Sequence, residues 1–406
     1  MKPKTTMTLV MALALLAVTA CGNDEGATVR DLGADGSASG SASASGSASA
    51  SGSASGSASA SGSASGSASA PASGSASASG SPSASASGSE AEVADGDYAY
   101  ATDVSAHRLV TEDICEINEL LEAESIDFDA VATLYREGEH SVNDDGSVRS
   151  IGGFATATDR AHGLADYYGT PTPLDDFVSA ALEGTGLFEG TSEGVRRQGV
   201  QKGIQNQVMV AWTEHELNSA LAKASEGDFD PQSGAVHNWD EAWAFYHGAE
   251  PDCAPYSTAE KRADDFGTMT DGVSAANAEI ADAMNAGRDA LLASDAAAAE
   301  DAAEAVRRAI VVTYSQAAIR YATITADDVA AGDAEAAATH QAEGYSFWRV
   351  IEATAADAGA DVETINGILS LDNEPAANGG GDEVRAALQP AWDALGITSN
   401  DIGNLQ

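Results

Sequence analysis

The chain has 406 residues, with 19 Lys and Arg against 63 Asp and Glu and a formal net charge of −44. A surface so acidic repels a polyanion, which argues against nucleic acid as a partner. The acidic residues are spread along the whole chain, a pattern that first reads as solubility, with attraction of cations as the sharper alternative.

Residues 1–20 read as a secretory signal. Lys2 and Lys4 supply positive charge and Leu9 to Val18 form a short apolar core, too short and wrongly flanked for a transmembrane helix. Val18-Thr19-Ala20-Cys21 resembles the lipobox of bacterial lipoproteins. That resemblance implies cleavage before Cys21 and a lipid on its sulfur; an ordinary signal peptide followed by a chance cysteine is the alternative. Residues 21–35 would then be a lipidated N-terminal segment. Residues 36–89 are almost wholly Gly, Ser and Ala. They offer no large apolar side chain to bury and so cannot offset the entropy of ordering. They are expected to form a disordered tether, with a random-coil reach of roughly 40 Å. The folded domain is expected over 90–406, exported and held at the cell envelope by its lipid. After the signal no run of about 18 apolar residues offers a further span.

The folded region is rich in Ala, Glu, Asp and Leu, and apolar residues recur at helical spacing over Ile114 to Leu121, Val208 to Leu221, Ala302 to Ile324 and Ala336 to Ile351. Breaks fall at Gly169-Thr-Pro-Thr-Pro173 and Gly379-Gly-Gly381. Asp175, Thr258, Thr325 and Asp333 are expected helix caps. The fold class expected is all-α, antiparallel bundles of repeated helical hairpins joined by long connections. Sliding the chain by 102 positions lays Val208-Met-Val-Ala-Trp212 on Ile310-Val-Val-Thr-Tyr314. Without a gap, Asn238-Trp-Asp-Glu241 then falls on His340-Gln-Ala-Glu343 and Phe245-Tyr246 on Phe347-Trp348. A weaker copy lies upstream, where Glu116-Ile-Asn118 resembles Glu216-Leu-Asn218. Besides Cys21 the only cysteines are Cys115 and Cys253. In an exported chain they most simply form one disulfide, with a pair of thiolate metal ligands as the alternative.

On a helix His340, Glu343 and Phe347 share one face, and so do Asn238, Glu241 and Phe245. If the duplicated units pack as partners, Glu241 and Glu343 face a common space. Two buried carboxylates repel unless they share a proton or a cation. Carboxylate and imidazole ligands at i, i+3 on facing helices are how helical bundles hold iron. The plainer alternative is that His340 and Glu343 only hydrogen-bond a neighbouring helix. Glu214, in Trp212-Thr-Glu-His215, and the i, i+3 pair Glu137 and His140 are lesser candidates for metal ligation. The ExxE patterns at Glu116, Glu119 and Glu122 read mainly as a solvated face. Arg320 and Arg349 could hold an anion beside a cation by bidentate contacts or simply neutralise carboxylates. No HExxH, Walker A or dinucleotide glycine signature is present, so the protein is not expected to be an enzyme.

Leu134-Tyr-Arg-Glu-Gly-Glu-His-Ser141, Ser150-Ile-Gly-Gly-Phe-Ala-Thr156, Trp239-Asp-Glu-Ala-Trp-Ala-Phe-Tyr-His-Gly248 and His340-Gln-Ala-Glu-Gly344 together resemble the low-iron-inducible periplasmic, iron-assimilation family of algae. The likeness runs from about residue 105 to 395, and Trp239 to Gly248 is its most specific part. It implies an extracytoplasmic protein that assists iron uptake and binds ferric iron in a phytotransferrin-like way; a synergistic carbonate beside the iron is an option that the arginines leave open. A transporter or reductase would receive the metal. The bacterial lipoprotein signal departs from the algal setting and leaves that recipient open. The helical HxxE is also similar to the imelysin-like proteins, some iron-linked and some called peptidases, although Ala338 stands where their glycine precedes the histidine. A metal-dependent peptidase and a metal-free cell-surface interaction module are therefore kept as alternatives.

Overall fold

A computed structural model describes residues 94–376 and 380–406. The signal, Cys21, the tether and the expected domain start at residue 90 lie outside the described residues. The described chain begins with β1 (Ala94–Asp95) paired antiparallel to β2 (Tyr98–Ala99). Short helices follow: α1 (Ser105–Arg108), α2 (Val110–Leu121), α3 (Phe128–Glu137), α4 (Ile151–Thr156), α5 (Leu164–Tyr168) and α6 (Pro173–Glu183). Next come α7 (Glu193–Lys202), α8 (Met209–Ser225), α9 (Ala235–Tyr246) and α10 (Pro255–Phe266). A second strand pair, β3 (Met269–Thr270) and β4 (Val273–Ser274), leads into α11 (Ala275–Leu292). The long helices α12 (Ala296–Ala331) and α13 (Ala334–Asp357) precede α14 (Val362–Leu369), α15 (Gly381–Leu395) and α16 (Ser399–Ile402). The protein is all-α, with two minute strand pairs among the described residues. None of its described helices is long and apolar enough to cross a membrane.

The architecture is organised by α12. Its 36 residues run for about 54 Å at the α-helical rise, and α11, α13 and α15 pack around it. Its buried positions are mostly small, such as Ala309, Ala317, Ala318 and Ala322, with Tyr314 and Tyr321 as the large side chains. Small residues let neighbouring helices lie close, and the large aromatics of those neighbours fill the remaining volume. The duplicated units are present as the hairpins α8–α9 and α12–α13, and the weaker upstream copy as α2–α3. The second hairpin turns where Gly332 takes a left-handed conformation and Asp333 caps α13 by accepting the Ala336 N–H.

Of the expected caps only Asp333 is one. Pro173 occupies the first turn of α6, so Thr172 takes the cap position and Asp175 lies inside the helix. Likewise Pro255 starts α10 before Thr258, whose hydroxyl instead donates to Asn206 Oδ1 at 2.8 Å. Thr325 is buried within α12, which continues for a further turn and a half. Between α7 and α8 the helix widens into a π-helical stretch, Gly203–Val208, every residue of which is buried. Its polar side chains cross-link the bundle: Asn206 Oδ1 also accepts from Tyr314, and Gln207 Nε2 donates to Ser346 O at 3.1 Å. Cys115 on α2 and Cys253 form a disulfide with their Cα atoms 6.0 Å apart, joining α2 to the segment after α9.

Close approach is sharpest between α11 and α9. A Cβ at Gly287 would come within 1.9 Å of the Trp239 ring, which is fully buried and donates its indole N–H to Met284 O. Gly287→Ala gains about 1 kcal/mol of helix propensity, and overpacking costs about 1–3 kcal/mol or more, with the upper end expected against a fully buried indole. The substitution should therefore lower the denaturant midpoint measurably, and an unchanged or raised midpoint would refute this packing.

Candidate metal-binding site

The strongest gathering of chemistry is built on α9. This helix buries every residue from Asn238 to Tyr246, so its polar side chains must find partners inside the protein. Glu241, 3 % exposed, does so at both oxygens. Its Oε1 lies 3.0 Å from His107 Nε2 and 3.1 Å from His237 Nε2. Its Oε2 accepts from Asn238 Nδ2 at 2.9 Å. The same Asn238 nitrogen donates to Glu216 Oε2 at 2.5 Å, and Asn238 Oδ1 accepts from Lys223 Nζ at 2.6 Å. Trp212 donates its indole N–H to Glu216 Oε1, and His215 Nε2 stands 4.0 Å from that oxygen. Two carboxylates and two imidazoles thus meet around one amide.

Three segments bring these groups together. His237 and Glu241 are one turn apart on α9 and so share a face. Glu216 comes from the facing helix α8 of the same hairpin. His107 comes from α1, laid against α9 by the chain that follows the β1–β2 pair. An aromatic wall closes the site: Trp212 stacks on Phe245 at 4.0 Å and on Phe154 at 4.4 Å, and Phe245 meets the His107 ring edge-on. Burial alone would raise the Glu241 carboxyl, but the charges and hydrogen bonds of His107 and His237 hold it well below the ordinary carboxylate range. Burial likewise works to lower His237, and Glu241 overcomes it, so the imidazole is raised. The His107 Nδ1 atom is buried and meets no hydrogen-bond partner among the described residues.

The other expected ligands are dispersed. Glu343 is buried on α13, where its Oε1 accepts from the Tyr321 hydroxyl at 2.7 Å and pairs with Lys202 Nζ at 3.2 Å. His340 turns the other way, toward Asp328 Oδ2 at 2.6 Å. Glu214 pairs with Arg307, Glu137 is exposed at the end of α3, and His140 bonds through Nδ1 to the buried Asp113. Glu241 and Glu343 have no hydrogen-bond partner in common; each is satisfied within its own surroundings. Arg349 donates to Gln207 and Pro173 O and lies over the Tyr168 ring, while Arg320 pairs with Asp265. Among the described residues no three His, Cys, Asp or Glu side chains stand at the spacing of a formed metal site. The cluster at Glu241 is closed on itself by hydrogen bonds.

The duplication explains why one hairpin gathers these groups and the other does not. At the 102-residue offset His237 becomes Thr339, Glu216 becomes Ala318 and Lys223 becomes Thr325. Only the glutamate persists, and in the second hairpin an ammonium group, Lys202, takes the place of the imidazoles beside it. His237 was legible as an i, i+4 partner of Glu241 within the motif His237-Asn-Trp-Asp-Glu241, although the i, i+3 spacing drew attention first. His107 carries no local signal.

With this geometry in view, comparison with known proteins is informative. A family model described as low iron-inducible periplasmic protein matches residues 73–406. The chain belongs to this family. The match covers the whole described region and begins inside the Gly/Ser/Ala tract. No curated protein and no solved structure matches the chain. The family is described as periplasmic, which agrees with the expectation of export.

The Glu343 pair gives a test of the electrostatics. Burial raises this carboxyl, but the Lys202 charge, the Tyr321 hydrogen bond and Arg262 bring it below the ordinary value of 4.5. A depressed carboxylate stabilises the fold above its unfolded value and loses that contribution as pH falls through the folded value. Glu343→Gln leaves the buried Lys202 facing a neutral amide and should cost about 3–5 kcal/mol at neutral pH. The gap to wild type should hold down to about pH 4.5 and shrink below it. Denaturant midpoints between pH 7 and pH 3 measure this; a gap independent of pH would mean that Glu343 is not ionised in the fold.

Proposed function

We propose that the protein binds ferric iron outside the cytoplasm, at the cluster of His107, His237, Glu241 and Glu216, and so assists iron uptake. The observation that carries the reading is the convergence of two imidazole nitrogens on one buried carboxylate oxygen, with a second carboxylate held beside it by Asn238. Mixed imidazole and carboxylate donors suit iron among the transition metals. The orphaned Nδ1 of His107 supports the fit, because no hydrogen bond from that nitrogen to a described residue has to be broken when Nε2 turns from Glu241 to a cation. In the hydrogen-bonded state protons occupy the contacts between the imidazoles and Glu241; an entering cation would displace them. Membership of a low iron-inducible family points to the same cargo.

In this reading the second hairpin is a structural copy. Lys202 supplies the positive charge that its glutamate needs, so one chain takes up one iron. The protein would be held at the membrane by a lipid on Cys21 and would pass its cargo to a transporter or reductase. It would act as a carrier, with no catalytic step of its own.

Titration of the full chain with ferric citrate should show one tight equivalent. Glu241→Gln should weaken it by more than about tenfold, since ligands cost at least as much as their supporting residues. His340→Ala should leave it unchanged. Repeating the titration with and without carbonate tests whether an anion joins the metal. Absence of stoichiometric binding by the wild type would overturn the reading, and an effect of His340→Ala equal to that of Glu241→Gln would move the site to the second hairpin.

A further inference from the structure

The residue next to Glu241 has its own role. Asp240 is fully buried and saturated by donors. Tyr98 OH donates to Oδ1 at 2.5 Å, and Oδ2 accepts from Ala101 N at 2.9 Å, Thr102 N at 2.7 Å and Thr102 Oγ1 at 2.7 Å. Ala101 N and Thr102 N can only donate, and they take both lone pairs of Oδ2, so no proton sits on that oxygen. The single hydroxyl hydrogen of Thr102 is therefore committed to Asp240. The same Thr102 oxygen lies 3.1 Å from His237 Nδ1, where it can only accept. A hydrogen must sit on Nδ1.

We propose that Asp240, acting through Thr102, is the positioning group that keeps a hydrogen on Nδ1 of His237 and so makes Nε2, the nitrogen facing Glu241, the one the imidazole gives to a cation. The consequence for metal rests on the iron reading above; the assignment of the hydrogen does not. Carboxylates that orient ligating imidazoles usually do so directly. Here a hydroxyl is interposed, and the carboxylate belongs to the residue beside the ligand on the same helix. Thr102 and Tyr98 come from the segment just before α1, so the stretch of chain that brings His107 to Glu241 also sets the second histidine. His107 has no such support, since its Nδ1 meets no partner. The two imidazoles therefore differ: among the described residues, His237 is held at both ring nitrogens and His107 at Nε2 alone.

The test uses the full chain, metal-free, with histidine ring nitrogens labelled with 15N and His237 assigned by loss of its signals in His237→Gln. The wild type should show a hydrogen bonded to Nδ1 of His237. Thr102→Val should lose that signal, and Thr102→Ser, which restores the hydroxyl, should keep it. Gallium(III), a diamagnetic substitute for ferric iron, should then move the Nε2 resonance and leave the Nδ1 hydrogen in place. Thr102→Val should weaken ferric binding by about 10–100-fold, with Thr102→Ser close to wild type. A bare Nδ1 in the wild type overturns the proposal even if Thr102→Val does not fold. So does a signal that survives in Thr102→Val, or a gallium-induced shift at Nδ1 in place of Nε2. If the Nδ1 hydrogen behaves as expected but neither gallium nor iron binds, the relay stands and the iron reading falls.

Discussion

One buried negative charge governs the N-terminal half of this protein. The Glu241 carboxylate sits on a helix that is buried from Asn238 to Tyr246, and an unpaired carboxylate there would cost several kcal/mol. The surrounding chain is arranged to meet that cost. Two imidazoles approach one oxygen, an amide serves the other, and the amide is itself fixed by Lys223 and shared with Glu216. The path of the chain before α1 follows from this need. Arg108 pairs with Asp95, Tyr100 donates to Asp95, and Trp243 donates its indole N–H to Asp95 O, so the first described residues are fastened across α9. Without that fastening His107 could not stand beside Glu241.

The duplicated hairpin shows what the same requirement looks like when it is met by a fixed charge. Glu343 occupies the position of Glu241 but faces an ammonium group and a tyrosine hydroxyl. An ammonium group has three donors and no acceptor, so beside this glutamate it offers a cation nothing to bind. An imidazole nitrogen can instead become a metal ligand, which makes the α8–α9 hairpin the one able to take a cation. The two halves therefore share a fold and differ in whether the group beside the glutamate can itself become a ligand.

The helices were legible because their periodicity is a local property. Each of the four segments with helical spacing lies in a helix or in the π-helical stretch that continues one, and the gapless match between the two hairpins survives in three dimensions. Export followed from the signal-like residues 1–20, the disulfide from two cysteines in an exported chain, and the disulfide is formed. The site was only half legible. Glu241 could be singled out from its place in the repeat, but its partners could not. His107 arrives from a distant segment, and no spacing rule reaches that far. His340 drew attention because it aligns with Asn238, yet the residue that matters to Asn238 is Glu216 across the hairpin. Asp328, one turn from the end of α12, gives His340 an acceptor at 2.6 Å, while Glu343 turns to Tyr321 and Lys202. An i, i+3 pair fixes a shared face and leaves open which neighbour each side chain turns to.

The hydroxyl relay from Asp240 sharpens what the repeat means. Adjacent helical residues point about 100° apart, so Asp240 and Glu241 cannot serve the same partner directly. The strap through Tyr98 and Thr102 closes that gap. It carries the influence of Asp240 around the helix to the outer nitrogen of His237, while Glu241 holds the inner one. A single imidazole is thus gripped from two sides by consecutive carboxylates of one helix, and the segment that makes this possible is also the one that delivers the second histidine. In the second hairpin the positions of Asp240 and His237 are Ala342 and Thr339, so the relay and the ligand are missing together. The distinction between the hairpins therefore extends beyond the groups nearest the glutamate to the groups that orient them, which is what a site specialised in one copy of a duplicated fold requires.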